Sequence, residues 1–220
     1  MKVNLFFCGD SNTFGEELQG IEEDHEKRVT QRYSTLVSEK LGKTHENISQ
    51  SGACNDWIVK KVVEWFELGN QCDTAIIQFS NQSRWGWYDE KGNYNNMGSQ
   101  ITTNNLITEN MKNAHSIYYE SVWSERLELD NYWKNMFFLK NYLRDKCKVI
   151  WMTLGRIPKG TKEDHNSNDW QKLCADIEIG EQREIVDGNK CPKYDNMYLG
   201  GHHPNEIGHQ HIANYLLERL

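Results

Sequence analysis

A serine and a histidine, near opposite ends of the chain, have the setting of a nucleophile and its base. Ser11 directly follows the apolar run at residues 3–8, and His203 stands where the last helical pattern begins. A serine hydroxyl is a poor nucleophile until a neighbouring base removes its proton. The two positions therefore predict nucleophilic acyl transfer, with Ser11 as nucleophile and His203 as base. Each residue also has a plainer interpretation, as a helix-capping or surface residue.

Two further positions are candidates for stabilising the negative charge that develops during such an attack. Gly52 follows a candidate short strand, and its lack of a side chain lets its backbone N–H approach a ligand closely. Asn81 follows the strand pattern at residues 74–79, and its side-chain amide is a hydrogen-bond donor. A turn glycine and a loop asparagine are the plainer alternatives, and the residues alone leave both open.

Candidate substrate-binding residues flank these positions. Asp10 and Asn12 stand on either side of Ser11. Arg84 is suited to bind an acidic group or to pair with surface carboxylates. Trp85 and Trp87 belong to a polar, aromatic segment, where they would either contact a flat or sugar-like substrate or pack the segment onto the body of the protein.

The sequence favours neither a metal site nor a cofactor. Four histidines cluster near the C-terminus, namely His202, His203, His209 and His211. No cysteine or acidic residue adds a recognisable zinc-ligand spacing to them. The loop after the first apolar run has no GxGxxG or phosphate-loop pattern, which disfavours a flavodoxin-like nucleotide binder.

Strands alternate with helices along the chain, which predicts a parallel sheet with helices on both faces. Apolar residues predict strands at 3–8, 46–49, 74–79 (fully apolar), 148–154 and 184–186. Helical spacing predicts helices at 30–41, 55–68, 116–146 (broken once), 169–176 and 205–220. Ligands of such sheets lie beyond the carboxyl ends of the strands, which is where Ser11 and Asn81 fall.

The domain organisation is expected to be simple. No repeat, linker or long charge run divides the sequence, so residues 1–220 are predicted to form one domain. Residues at about 82–115 are polar, glycine-rich and aromatic, which indicates an insertion, with a hairpin at 90–93. A loop of this length is usually functional or mobile.

The composition is that of a soluble globular protein. The chain of 220 residues has a net charge of −7, with 37% hydrophobic and 26% charged residues. Neutralising phosphates needs clustered Lys and Arg, so we expect no nucleic-acid partner. No apolar run is long enough for a membrane span or a signal peptide, so we expect no membrane partner. Six cysteines without a CxxC pair fit reduced thiols and a cytoplasmic location, and the low-proline, Asn- and Lys-rich composition fits a phage or an AT-rich genome.

Four segments, in their order along the chain, resemble sequence blocks of the SGNH/GDSL hydrolase family. GDSNTFG resembles the first block, with Ser11 as nucleophile, and SGACND resembles the second, with Gly52. Asn81 in FSNQ matches the asparagine of the third block, and HPNEIGHQHIA is similar to the fifth, with His203 as base. The resemblance spans residues 3–216. It implies a three-layer α/β/α sandwich with a parallel, flavodoxin-like sheet, and cleavage of short acyl or acetyl esters on sugars, lipids or small alcohols.

The sequence departs from the family pattern at two places. Phe79 and Gln82 stand where the third block usually has Gly and Asp. Gly200 and Gly201 stand where the fifth block normally carries an Asp, the residue that orients the imidazole and stabilises its charged form. Its absence predicts a Ser–His dyad held by a backbone carbonyl, or an acid supplied from elsewhere, such as Asp195.

The sequence therefore predicts an esterase that acts on a small-molecule or carbohydrate ester through a Ser11 acyl-enzyme. The alternative is a catalytically weak or inactive binding module with the same fold. The missing aspartate favours the binding module, whereas the set of Ser11, Gly52, Asn81 and His203 favours the enzyme.

Overall fold

The computed structural model describes most of the chain, namely residues 1–16, 18, 25–89, 91–92, 94–97, 108–153, 169–182, 185, 198–199 and 203–220. Asp195, Gly200, Gly201 and His202, which the sequence analysis singled out, lie outside these ranges. So do residues 184 and 186 of the strand predicted at 184–186.

Five parallel strands form the central sheet. They are β1 (Lys2–Cys8), β2 (His45–Asn47), β3 (Gln71–Phe79), β6 (Lys148–Thr153) and β7 (Ile179–Glu181). Their spatial order is β2-β1-β3-β6-β7, and every neighbouring pair is parallel. Counted among themselves, the five strands follow the flavodoxin-like order 2-1-3-4-5, which reverses between β1 and β3. The predicted parallel sheet is therefore confirmed.

Eight α-helices connect and cover the strands within the described ranges. They are α1 (Ser11–Phe14), α2 (His25–Gln31), α3 (Tyr33–Leu41), α4 (Asn55–Glu67), α5 (Glu109–Ile117), α6 (Glu125–Leu143), α7 (Asp169–Leu173) and α8 (Glu206–Leu217). A π-helical turn, Tyr118–Val122, follows α5, so the long helical pattern is interrupted once before α6, as predicted.

Two apolar cores, one on each face of the sheet, make the structure a three-layer sandwich. Successive strand residues point to opposite faces, so Phe6 and Phe7 of β1 enter different cores. The core under α4 and α6 contains Phe6, Ile58, Ile77, Met136 and Leu139. The core under α3 and α8 contains Phe7, Tyr33, Val37, Ile76 and Ile212.

β3 differs from its prediction in one residue that matters for the site. Gln78 is fully buried and polar, so the strand is not apolar throughout. Burying an amide is tolerated where it is hydrogen-bonded, and Gln78 donates to Asp10 at the end of β1, at 3.1 Å.

The last described strand of the sheet, β7, lies at Ile179–Glu181, where the sequence pattern predicted no strand. Gly180 disfavours a strand by propensity, which explains why the pattern missed it. Glycine lets Tyr215 of α8 pack closely here, because a Cβ at Gly180 would lie 2.6 Å from the Tyr215 hydroxyl.

Residues 85–88 and 94–97 form a hairpin around the turn that the sequence predicted at 90–93, of which residues 90 and 93 lie outside the described ranges. β4 (Trp85–Tyr88) pairs antiparallel with β5 (Tyr94–Met97). A second short antiparallel pair, β8 (Tyr198–Leu199) with β9 (His203–Pro204), precedes α8. Within the described residues, no helix combines the length and the hydropathy needed to cross a membrane.

Candidate active site

Ser11 is the first residue of α1 and stands at the carboxyl end of β1. Asp10 is the N-cap of this short helix, and its side chain accepts a hydrogen bond from the Asn12 N–H at 3.0 Å. Gly15 ends the helix in the left-handed conformation, with φ 85°. Ser11 is 1% exposed, and its Oγ has no hydrogen-bond partner among the described residues. Burying a hydroxyl without a hydrogen-bond partner costs roughly 1–3 kcal/mol of folding stability. We therefore expect the Ser11 hydroxyl to be kept for a function.

The Asp10 carboxylate is fully buried, and both of its oxygens are engaged. Oδ1 accepts from the Asn12 N–H, from Asn12 Nδ2 at 3.2 Å and from Gln78 Nε2. Oδ2 accepts from Ser80 Oγ at 3.0 Å and from Arg84 Nη1 at 3.3 Å. These contacts make Asp10 and Asn12 supports of the Ser11 loop, and their predicted contact with substrate stays a prediction.

A buried chain of hydroxyl and amide groups fastens the other side of α1. Thr13 Oγ1 hydrogen-bonds to Gln78 Oε1 and accepts from the Tyr33 hydroxyl at 2.6 Å. Burial raises the pKa of the Tyr33 phenol, which keeps it protonated as a donor. Gly9 makes this approach possible, because a Cβ there would lie 2.9 Å from Gln78 Cβ.

Gly52 lies in a tight turn beside the Ser11 loop. The Ala53 N–H donates to the Gln50 carbonyl at 3.2 Å, which closes a β-turn with Gly52 at its third position. Its φ of 74° is left-handed, and a Cβ there would meet no atom within 4 Å. Backbone conformation rather than crowding therefore selects glycine at this position.

Asn81 is exposed at the carboxyl end of β3, as the sequence predicted. Its Oδ1 accepts from the Ser83 N–H at 3.1 Å and lies 3.3 Å from Ser83 Oγ. Because the carbonyl end of the amide holds the turn, the NH₂ group is the end that can donate to a ligand.

Arg84 crosslinks three loops at this edge of the sheet. Besides Asp10, its Nη1 donates to Ser80 Oγ at 3.0 Å and to the Ala53 carbonyl at 3.4 Å. Asn55 joins the same loops, since its Oδ1 accepts from the Ser80 N–H at 2.7 Å. Arg84 thus pairs with a buried carboxylate rather than with the surface carboxylates that the sequence suggested.

His203 is brought to the Ser11 loop by β9, which lies against α1. The hydroxyl of Ser11 makes no hydrogen bond to the imidazole. His203 Nε2 faces the Glu16 carboxylate, with Oε2 at 3.6 Å, and Glu16 Oε2 also accepts a hydrogen bond from Ser51 Oγ. Just after β9, Asn205 caps α8 by accepting from the Ile207 and Gly208 N–H groups, both at 3.1 Å.

His209 anchors α8 behind the site and is fully buried. Its Nδ1 accepts from the Tyr33 N–H at 3.1 Å, and its ring stacks on the Tyr33 ring at 5.6 Å. Burial, with smaller effects of His203 and Arg32, lowers the pKa of His209 to about 3. The imidazole is therefore neutral at physiological pH, and its proton is on Nε2.

Trp85 and Trp87 lie on the hairpin of the aromatic insertion. The Trp85 ring stacks on Tyr118 at 4.2 Å and lies tilted against Trp87 at 4.8 Å, so Trp85 packs the hairpin against the π-helical turn. Trp87 lines a cavity of about 530 Å³ between the hairpin and α5, together with Asn95 and Asn110. Neither Ser11 nor His203 is among the described residues that line it.

No three His, Cys, Asp or Glu side chains come together as a metal site in the described part of the chain. His203, His209 and His211 of the C-terminal histidine cluster are described, and the contacts of His203 and His209 are given above.

Glu16, Asn55, Gln78 and Ser80 belong to the site but were missed by sequence reasoning. Gln78 offered a signal, as a polar residue inside an apolar run that leads into a loop. Glu16 and Asn55 offered none beyond their nearness to Ser11 and Gly52, because their partners are distant in the sequence.

No family model and no curated protein matches the sequence. Solved structures do match the fold over almost the whole chain. A lipolytic protein of the G-D-S-L family from Veillonella parvula DSM 2008 has a TM-score of 0.55 at 14% identity, covering 99% of this chain and 97% of its own. A catalytic mutant of an acetylxylan esterase from Geobacillus stearothermophilus has a TM-score of 0.54 at 14% identity, covering 98% and 93%. The chain therefore has the α/β/α fold of the SGNH/GDSL hydrolases, the family that its four sequence segments resemble.

Proposed function

We propose that the chain is a serine hydrolase that cleaves carboxylic esters, with Ser11 as nucleophile and His203 as general base. The observation that carries the proposal is the position of Ser11. It is buried at the carboxyl end of β1, beside the point where the strand order reverses, and α1 lies against the strand that holds His203. Open α/β sheets bind their ligands at this point.

The proposed reaction is acyl transfer in two steps. His203 takes the proton of the Ser11 hydroxyl, and Ser11 Oγ attacks the ester carbonyl. The backbone N–H groups of Ser11 and Gly52 and the side-chain amide of Asn81 donate to the oxyanion. His203 then protonates the leaving alcohol, and water hydrolyses the acyl-enzyme by the same route in reverse.

Short acyl or acetyl esters, including those on carbohydrate, are the proposed substrates. One structural neighbour is an acetylxylan esterase, and two of its structures are catalytic mutants in which a serine or a histidine is replaced by alanine. Trp87 and the two asparagines that share its cavity have the aromatic and amide character that suits a sugar. The proposal assigns residues 1–220 to one catalytic domain, with the insertion at about 82–115 as its substrate-contacting part.

Hydrolysis of p-nitrophenyl acetate by wild type and by Ser11→Ala tests the proposal directly. We expect the replacement to lower turnover at least about a thousandfold, because it removes the nucleophile. Fluorophosphonate labelling, located by mass spectrometry, should find Ser11 in the wild type. The matched control is Ser121→Ala, at an exposed position of the π-helical turn, which should keep wild-type turnover and labelling.

A non-catalytic binding module with this fold is the second candidate. The observation that favours it is the Ser11 hydroxyl, which is buried and makes no hydrogen bond to His203. A folded wild-type protein that neither reacts with the fluorophosphonate nor hydrolyses the ester would select the binding module over the esterase.

A further inference from the structure

The carboxylate of Glu16 lies where three loops of the site meet. Gly15 turns the chain after α1, so that the Glu16 N–H donates back to the Ser11 carbonyl at 3.0 Å. Its Oε2 accepts from Ser51 Oγ, in the turn that holds Gly52, and faces His203 Nε2 at 3.6 Å. One side chain thus contacts the loops that carry the proposed nucleophile, an oxyanion donor and the base.

From this geometry we infer that Glu16 is the acidic positioning residue of His203. The inference rests on the proposed function and adds to it an acid supplied from the nucleophile's own loop. The sequence has Gly200 and Gly201 where related enzymes carry their aspartate, and Glu16 provides a carboxylate from a different part of the chain.

The physical role follows from burial and charge. The His203 side chain is 16% exposed and the Glu16 side chain 38%, so their attraction is less screened than that of a fully exposed pair. A carboxylate beside an imidazole fixes the ring orientation and stabilises the imidazolium that forms when serine loses its proton. The Ser51 hydroxyl holds the carboxylate in place, which limits the rotamers that Glu16 can adopt.

The contact also selects a tautomer. The nitrogen that faces the carboxylate keeps its proton in the neutral ring, so His203 carries its proton on Nε2 and presents Nδ1 as the base. Glu16 takes no part in the proton transfer. The proton moves from Ser11 Oγ to His203 and then to the leaving alcohol.

Kinetics of Glu16→Gln, Glu16→Asp and Ser51→Ala test the inference, with Glu206→Gln as the matched control. Glu206 is exposed in the first turn of α8 and is three residues from His203 in sequence. We expect Glu16→Gln to lower kcat about 10²-fold with little change in KM, because the lost contact matters when His203 is charged. Glu16→Asp should recover part of kcat, Ser51→Ala should lose less than Glu16→Gln, and Glu206→Gln should match wild type. An unchanged or raised kcat in Glu16→Gln would overturn the inference.

A second measurement separates this inference from the esterase proposal. The imidazole ¹⁵N spectrum of His203 at fixed pH, assigned by its loss in His203→Asn, reports the tautomer without any substrate. We expect the Nε2-protonated form in wild type, altered in Glu16→Gln and unaltered in Glu206→Gln. If wild type lacks Ser11-dependent turnover, the esterase proposal fails while this spectrum still decides the Glu16–His203 contact. His203 signals that are identical in wild type and Glu16→Gln would contradict that contact.

Discussion

The two sides of the proposed site are held in different ways. On the serine side, the buried Asp10 carboxylate accepts from two groups of Asn12 and from Gln78, Ser80 and Arg84. On the histidine side, His203 faces a half-exposed carboxylate at 3.6 Å and is followed by the α8 N-cap. The serine side is a closed, buried network that joins β1 to β3, whereas the histidine side combines a helix start with the contact between His203 and the partly exposed Glu16 carboxylate.

This difference predicts that the serine side matters more for stability and the histidine side more for activity. A buried network of satisfied polar groups is sensitive to the loss of any member, because each partner left behind stays desolvated. A partly exposed ion pair contributes little to stability, since water replaces it. We therefore expect substitutions on the serine side to destabilise the fold, and those on the histidine side to change turnover with a smaller loss of stability.

Replacing Asp10 by alanine should produce the largest loss of stability. It leaves the partly buried Arg84 guanidinium and the fully buried donors of Gln78 and Ser80 without the carboxylate that accepts from them. Breaking a buried pair by removing one partner costs about 3–5 kcal/mol. Urea denaturation followed by circular dichroism measures the free energy of unfolding.

Asp73→Ala is the matched control for the serine side. Asp73 accepts from Asn4 Nδ2 at 2.8 Å and lies 3.8 Å from Lys2 Nζ, but its side chain is 51% exposed. Its replacement should cost at most about 1 kcal/mol. Equal losses for Asp10→Ala and Asp73→Ala would show that the Asp10 network does not carry the stability assigned to it.

The histidine side should show a pH dependence of stability, of intermediate size, that originates at His209. Burial lowers the pKa of His209 to about 3 in the folded state, whereas an unfolded histidine has its ordinary value near 6.5. Between these values the unfolded state binds the extra proton, so stability rises with pH and is lost as pH falls below about 6.5. At pH 5 the expected loss from this group is about 2 kcal/mol.

Unfolding free energies of wild type and His209→Asn at pH 7.5 and pH 5 test this expectation. The asparagine Oδ1 stands near the position of His209 Nδ1, so it can still accept from the Tyr33 N–H, but it does not titrate. Wild type should lose about 2 kcal/mol more than the variant between the two pH values. A stability difference that stays constant over that interval would contradict a neutral, buried His209.

The sequence predicted the sheet because the local composition of the inner strands is enough to identify them. The runs at 3–8 and 74–79 carry apolar residues on both faces, as a strand covered by helices on both sides requires. The pattern did not predict β7, because this strand is only three residues long and contains Gly180. The glycine makes room for Tyr215, which lies on a helix far away in the sequence. Strand propensity does not encode such a contact.

The sequence predicted at which edge of the sheet the candidate residues lie, but it did not predict the contacts that they make. Ser11 and Asn81 could be placed, because the carboxyl ends of neighbouring parallel strands share one edge of the sheet. Gln78 and Asp10 are 68 positions apart, and Glu16 and His203 are further apart still. A search for an acid next to His203 in sequence points to residues 195–201 and not to the loop after Ser11.

Removing the Asn205 cap should have the smallest effect on stability, but it should still change activity at the candidate site. Asn205 accepts from two N–H groups at the start of α8, and replacing such a cap by alanine typically costs about 1 kcal/mol. Ser124→Ala removes the equivalent cap of α6, where the Ser124 side chain accepts from the Leu127 N–H at 3.1 Å, and it should cost a similar amount. His203 is two residues from the Asn205 cap, so Asn205→Ala should also lower kcat, whereas Ser124→Ala should not. Equal kcat values for two variants of matched stability would mean that the start of α8 does not position His203, and the histidine side would then depend on Glu16 for its orientation.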